Sequence, residues 1–177
     1  MRVMAGILAA GLAMAASAAH AQWIQMKGDD DPFAGRGAPL IALSISSIGT
    51  SVGFRCTGPE DVAMILVTPE RPDADTQALL RLVKVKLLVI IDDQPKVALA
   101  ASAQATPDGK QIRYEADEDG VTEVLHAVAG AKRRVAAAVE VMGKTFYSQS
   151  YQATNSRRAL QPLITGCNLA APKSKVN

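Results

Sequence analysis

Two cysteines, Cys56 and Cys167, are the only ones in the 177-residue chain, and their placement constrains the fold more than any other feature. Cys56 ends an alternating run, SVGFRC, in which Val52, Phe54 and Cys56 share one face and Ser51, Gly53 and Arg55 the other. That parity puts the sulfur on the apolar side. Thr57 to Glu60 (TGPE) has hairpin-turn composition, and Asp61 to Val67 returns as a second strand. Cys167 lies close to the C-terminus. Pairing the two would close a loop of about 110 residues, worth about 4–5 kcal/mol in unfolded-chain entropy. The fold would then have to bring the first hairpin against the last segment. Two buried free thiols, or one reactive thiol, are the alternatives.

The start of the chain bears on that choice. Arg2 supplies a positive charge, Val3 to Ala19 is apolar and rich in Ala, and Ala19-His20-Ala21 is a small-x-small cleavage motif. This is the pattern of a secretory signal peptide, residues 1–21, cut before Gln22. A membrane anchor would need ~20 strongly apolar residues, whereas this run is shorter and is broken by Gly6 and Gly11. No cysteine follows it, so a lipoprotein cleavage site is absent. Cleavage leaves a single mature domain, Gln22–Asn177, with a frayed tail at 170–177. An exported chain resides in an oxidising compartment, which favours the Cys56–Cys167 disulfide. Without Arg2, 18 basic and 17 acidic side chains remain, a balance that argues against nucleic-acid or anionic-membrane partners. No later segment is long and apolar enough to span a bilayer. Aromatic residues are only 4% of the chain, so Val, Leu, Ile and Ala must build the core.

Trp23 to Met26 reads as a short edge strand, and Lys27 to Pro39 as an Asp/Gly/Pro-rich loop. Leu40 to Ser47 alternates late, with Ile41, Leu43 and Ile45 on one face. Thr68 to Gln77, with two prolines, reads as a loop. Ala78 to Asp93 reads as one central strand, because its β-branched content disfavours a helix. Lys96 to Ala101 and Gln111 to Ala116 follow as strands about an Asp108-Gly109 turn. Val121, Val124, Leu125 and Val128 have the spacing of a helix face, with Asp119 as N-cap and Gly130 near the end. Arg134 to Val141 and Lys144 to Tyr151 read as a hairpin. A second helix, capped at Thr154, Asn155 or Ser156, carries Leu160, Leu163, Ile164 and Cys167 on one face, and Pro162 should kink or restart it. The expected fold is α+β and mostly β: one antiparallel sandwich-like or curved-sheet domain with two helices and one disulfide.

Catalytic signatures are missing. His126 is the one histidine left after cleavage, which excludes His-clustered zinc sites and disfavours a Ser-His-Asp triad. There is no Gly-x-Ser-x-Gly elbow and no phosphate-cradling glycine loop. Glu115 to His126 fails as a calcium loop, because His126 stands where a bidentate Glu is required. Asp29-Asp30-Asp31 reads as a solvated turn. No catalytic, cofactor or metal residues are assigned.

Four short motifs, in order, carry a family resemblance. They are Trp23 with Asp31-Pro32-Phe33, Phe54-Arg55-Cys56 at a strand end, Leu88 to Pro95, and Ala159-Leu160-Gln161-Pro162-Leu163 closing on Cys167. In these the chain resembles the VasI/TagO-like periplasmic proteins associated with type VI secretion. The resemblance implies an exported, non-enzymatic accessory protein that binds another envelope protein, with Cys56 and Cys167 carried over as a disulfide. The chain departs from the pattern in the polar Ser148 to Tyr151 and in Arg113 to Leu125. The alternatives are an envelope protein similar to the invasion-associated locus B family, a periplasmic hydrolase, or a hydrolase inhibitor.

Overall fold

A computed structural model describes residues 22–28, 38–80 and 82–170. Residues 1–21, read above as a signal peptide, the Asp29–Asp31 run and the tail beyond Ala170 lie outside the described residues. Among the described residues, nine strands and three helices follow in the order β1 (Ile24–Lys27), β2 (Leu40–Ile45), β3 (Ser51–Gly58), β4 (Asp61–Thr68), α1 (Ala74–Leu80), β5 (Val85–Ile91), β6 (Val97–Ala105), β7 (Ile112–Ala116), α2 (Val121–Ala129), β8 (Arg134–Val141), β9 (Lys144–Gln152) and α3 (Ser156–Gly166). All strands join one antiparallel sheet, β1-β2-β3-β4-β7-β6-β5-β8-β9, curled into a half-barrel. The curved sheet, of the two architectures expected, is the one adopted.

The hairpins follow their turn residues. Pro59 and Glu60 link β3 to β4, with Glu60 at φ 61°. Met142 and Gly143, at φ 51° and 78°, link β8 to β9, as a two-residue turn of this hand requires. β6 is divided between two neighbours. Its first half, up to Ala101, pairs with β5, and its second half, from Ser102, pairs with β7.

The inner face carries the core. Val52 and Phe54 of β3, Met64 and Leu66 of β4, Leu87 and Val89 of β5, and Val139 of β8 are all buried there. Two helices cover them. α2 contributes Val121, Val124, Leu125 and Val128, and α3 contributes Ala159, Leu160 and Leu163. Each buried Leu or Val contributes about 1.5–3 kcal/mol by leaving water. Trp23, just before β1, is 2% exposed and stacks on Phe54 at 6.4 Å between ring centroids.

Four details differ from the sequence expectation. Ala78 to Asp93 is not one strand: α1 takes its first residues, and β5 begins only at Val85. Asp73 starts that third helix by accepting the Thr76 backbone N–H at 2.8 Å. Gly120, at φ 93°, caps α2 in place of Asp119. α3 runs unbroken through Pro162. On β2, Ile41, Leu43 and Ile45 do share a face, but it is the outer one. Ala42 and Ser44, both fully buried, point inward. α3 lies close over β2, where a Cβ on Gly166 would come within 2.8 Å of Leu40 Cδ1. The absence of a side chain at Gly166 leaves room for Leu40 at that approach.

Candidate functional site

Cys56 and Cys167 are brought together at disulfide distance, with Cα atoms 6.2 Å apart across 111 residues. Both are buried. The bridge joins the end of β3 to the residue that terminates α3. The Glu60 N–H also donates to the Cys167 carbonyl at 2.7 Å, so the first hairpin turn holds the helix end twice. His126 Nε2 lies 3.0 Å from the Ala170 carbonyl, joining α2 to the same corner. This region is a staple, and its chemistry is structural.

The registers build a second region on the outer face. Ile24, Leu43, Gly53, Ile65 and Glu115 fall in one row across β1, β2, β3, β4 and β7. Met26, Ile41, Arg55 and Ala63 form the next row, and Ile45, Ser51, Val67 and Arg113 flank the first row on its other side. The β1–β2 end is therefore a patch of aliphatic side chains in which Ile24, Met26 and Ile45 are 45%, 49% and 50% exposed. Gly53 is needed beneath it: a Cβ there would meet the Ala42 carbonyl oxygen at 2.3 Å and Leu43 Cβ at 2.8 Å.

Charges bound this patch. Glu115, 7% exposed, accepts from Arg55 and faces Arg113 Nε at 3.2 Å. Ala63 on β4 is the cross-strand neighbour of Arg55. The Glu115 carboxylate thus sits between two guanidiniums, and removing either would leave buried charge less compensated. The sequence reading passed over this trio. Its signal is the Arg-x-Glu alternation on β7, with Arg55 on the outward parity of β3.

A third group closes one end of the half-barrel. A bulge in β9 turns Tyr147 to φ 52°. Its ring lies 6.3 Å from Tyr114 and its hydroxyl donates to Glu70. Burial, and then the Glu70 carboxylate, pushes the Tyr114 hydroxyl up to about 12. Burial also raises Tyr147, reinforced by its bond to Glu70. Both phenols stay protonated at neutral pH, so they hold the fold and supply no base.

Glu60, Asp117, Glu118, Asp119 and Glu123 line an acidic groove of 370 Å³ at the start of α2. Among the described residues no group of His, Cys, Asp and Glu is arranged to hold a metal ion, and no helix is long and apolar enough to cross a membrane. Lys132, Arg133 and Arg134 form a turn whose backbone N–H groups all donate to Asp92, at 2.8–3.0 Å. No known protein family, no curated protein and no solved structure matches this chain.

Proposed function

We propose that the protein is an exported, non-enzymatic binding protein of the cell envelope. Its role is accessory, and the VasI/TagO-like resemblance makes type VI secretion the sharpest form of that role. The observation that carries the reading is the outer face of β1 and β2. Soluble proteins seldom leave several large aliphatic side chains side by side in water, and such patches bounded by charge mark protein–protein contacts. The occupant that suits this surface is another envelope protein with an apolar patch and a polar rim able to meet Arg55, Glu115 and Arg113. The Cys56–Cys167 pair supports the location, because a bridge at this geometry persists in an oxidising compartment.

The test is site-specific photo-crosslinking in cells from Met26, Leu43 and Ile45, with Lys86 on β5 as control, followed by mass spectrometry of the adducts. The expected result is one envelope protein, a secretion-apparatus membrane component, captured from the three outer-face positions and lost in Leu43→Asp. A wall hydrolase captured at the same positions would replace the secretion role with inhibition or regulation. Adducts no more abundant than at Lys86 would remove the surface from consideration.

A further inference from the structure

β6 leaves part of its edge open where it changes partner. Its pairing with β5 stops at Val85↔Ala101, and its pairing with β7 runs from Ser102 to Ala105. Ser102 to Ala105 therefore have a strand on one side only. Alternation fixes the side to which each backbone group points. The Thr106 N–H donates to the Gln111 carbonyl at 2.9 Å, one step beyond Ala105↔Ile112. Bonded and non-bonded positions alternate along an antiparallel pair. Ser102 and Gln104 thus bond β7, while Ala103 and Ala105 turn their N–H and C=O groups the other way. The neighbouring ladders agree. The Asp92 N–H donates to the Arg134 carbonyl, so even-numbered residues on β5 bond β8, and Val85 bonds β6 at Ala101.

Continued upstream by two residues, β5 would bring Val83 opposite Ala103. It begins instead at Val85, and no backbone hydrogen bond joins Val83 to Ala103 among the described residues. A groove of 530 Å³ occupies the place of the missing strand. It is lined by β6 from Ala101 to Ala105, by Gln77 and Leu80 of α1, and by Val83 and Lys84. Open strand edges are ordinarily blunted by charge, proline or a bulge. Ser-Ala-Gln-Ala, residues 102–105, has no charge and no proline, and its register with β7 is unbroken. What meets such an edge is another extended backbone, which presents N–H and C=O groups at the same spacing. A short groove walled by α1 suits a single extended chain better than the edge of a folded sheet. The walls also select side chains. Ala103 is 5% exposed, and Leu80 and Val83 pack against the core, so occupant residues opposite Ala103 and Ala105 meet an apolar wall. Ser102 and Gln104 are exposed, and the exposed Lys84 stands beside them, so the residue between is polar and best acidic.

We infer that the open edge of β6 at Ser102 to Ala105 docks an extended peptide segment of a partner protein. The segment adds as a strand antiparallel to β6, with apolar residues opposite Ala103 and Ala105 and an acidic residue between them.

The test is amide NMR of the purified protein with the peptide acetyl-Thr-Val-Glu-Val-Thr-amide as probe. In the free protein the Ala103 N–H should exchange with solvent at least about tenfold faster than the Gln104 N–H. Peptide at millimolar concentration should give saturable shifts at residues 102–105 and slow the exchange of Ala103. N-methylation of both valines, whose N–H groups face β6, should abolish binding, whereas N-methylation of the glutamate should leave it. These two peptides separate backbone pairing from side-chain contact without altering the protein. Lys84→Glu, a change at an exposed side chain, should weaken the peptide about threefold and favour the version with lysine in place of glutamate. The inference is overturned if Ala103 is as protected as Gln104 before peptide is added, or if no saturable shift appears at residues 102–105. Binding that survives methylation of both valines, or that ignores the charge at Lys84, overturns it equally.

Discussion

α2 and α3 begin on the same backbone plan and with opposite charge. Each starts from a left-handed residue, Gly120 at φ 93° and Asn155 at φ 65°, and neither has a side chain capping its first N–H groups. Around the start of α2 stand Asp117, Glu118 and Asp119, with Glu123 in the first turn. Those carboxylates complement the positive end of the helix dipole. The start of α3 has Arg157 and Arg158 and no acid in its first turn. α2 therefore resolves its own electrostatics, whereas α3 is electrostatically opposed at its start and covalently held at its end. A helix can keep an unfavourable terminus when the bonds that hold it lie elsewhere, as the disulfide at Cys167 does here.

Cutting the staple should separate the two helices most strongly. Cys56→Ala and Cys167→Ala should lower stability equally, by about 2–5 kcal/mol in denaturant unfolding, and the double variant should be no worse than either single. Amide exchange should accelerate in α3 far more than in α2. Unequal melting temperatures for the two single variants would contradict the bridge, and equal acceleration in both helices would erase the contrast.

Charge reversal tests the other half of the comparison. Arg157→Glu should stabilise the protein by about 0.3–1 kcal/mol at low salt, and Glu123→Lys should destabilise it by a similar amount. Both effects should shrink as ionic strength rises. A stabilising Glu123→Lys would show that the acids around α2 serve something other than their helix.

The smallest effect concerns the basic turn that follows α2. Asp92 accepts the Lys132, Arg134 and Arg133 backbone N–H groups, and these hold its carboxyl below the ordinary value of 3.8. The folded pKa lies below the unfolded one, so the unfolded chain binds more protons between the two values. The contribution to stability is full above about 4 and is lost as pH falls through the folded value. Asp92→Asn should flatten that part of the acid-denaturation curve and leave the neutral-pH melting temperature only modestly lower. Asn tolerates the φ of 51° found at this position, so backbone strain does not confuse the readout.

Much of this architecture was legible in residue alternation. The parity of Val52, Phe54 and Cys56 placed the sulfur inward, and the spacing of Val121, Val124, Leu125 and Val128 marked the buried face of α2. α1 escaped because Ala78–Leu80 run into the β-branched segment of β5 and none of its residues is buried. The legible signal was Asp73, three residues before Thr76. The strand order was not legible either. β7 inserts between β4 and β6, a pairing set by contacts distant in sequence and unmarked in either strand. On β2 Ile41, Leu43 and Ile45 face outward while the small Ala42 and Ser44 face the core, the reverse of what apolar alternation suggests.

The division of β6 has a mechanical consequence. The five strands β1, β2, β3, β4 and β7 form one panel, and β5, β8 and β9 form another. On the sheet itself, no ladder of hydrogen bonds passes straight from one panel to the other. They are joined along a single strand that changes partner between Ala101 and Ser102. A force drawing the panels apart within the sheet is carried in series by the short β6–β7 ladder, the backbone step between Ala101 and Ser102, and the β5–β6 ladder. Continuity of the whole sheet therefore rests on one strand, whose two halves each answer to a different panel.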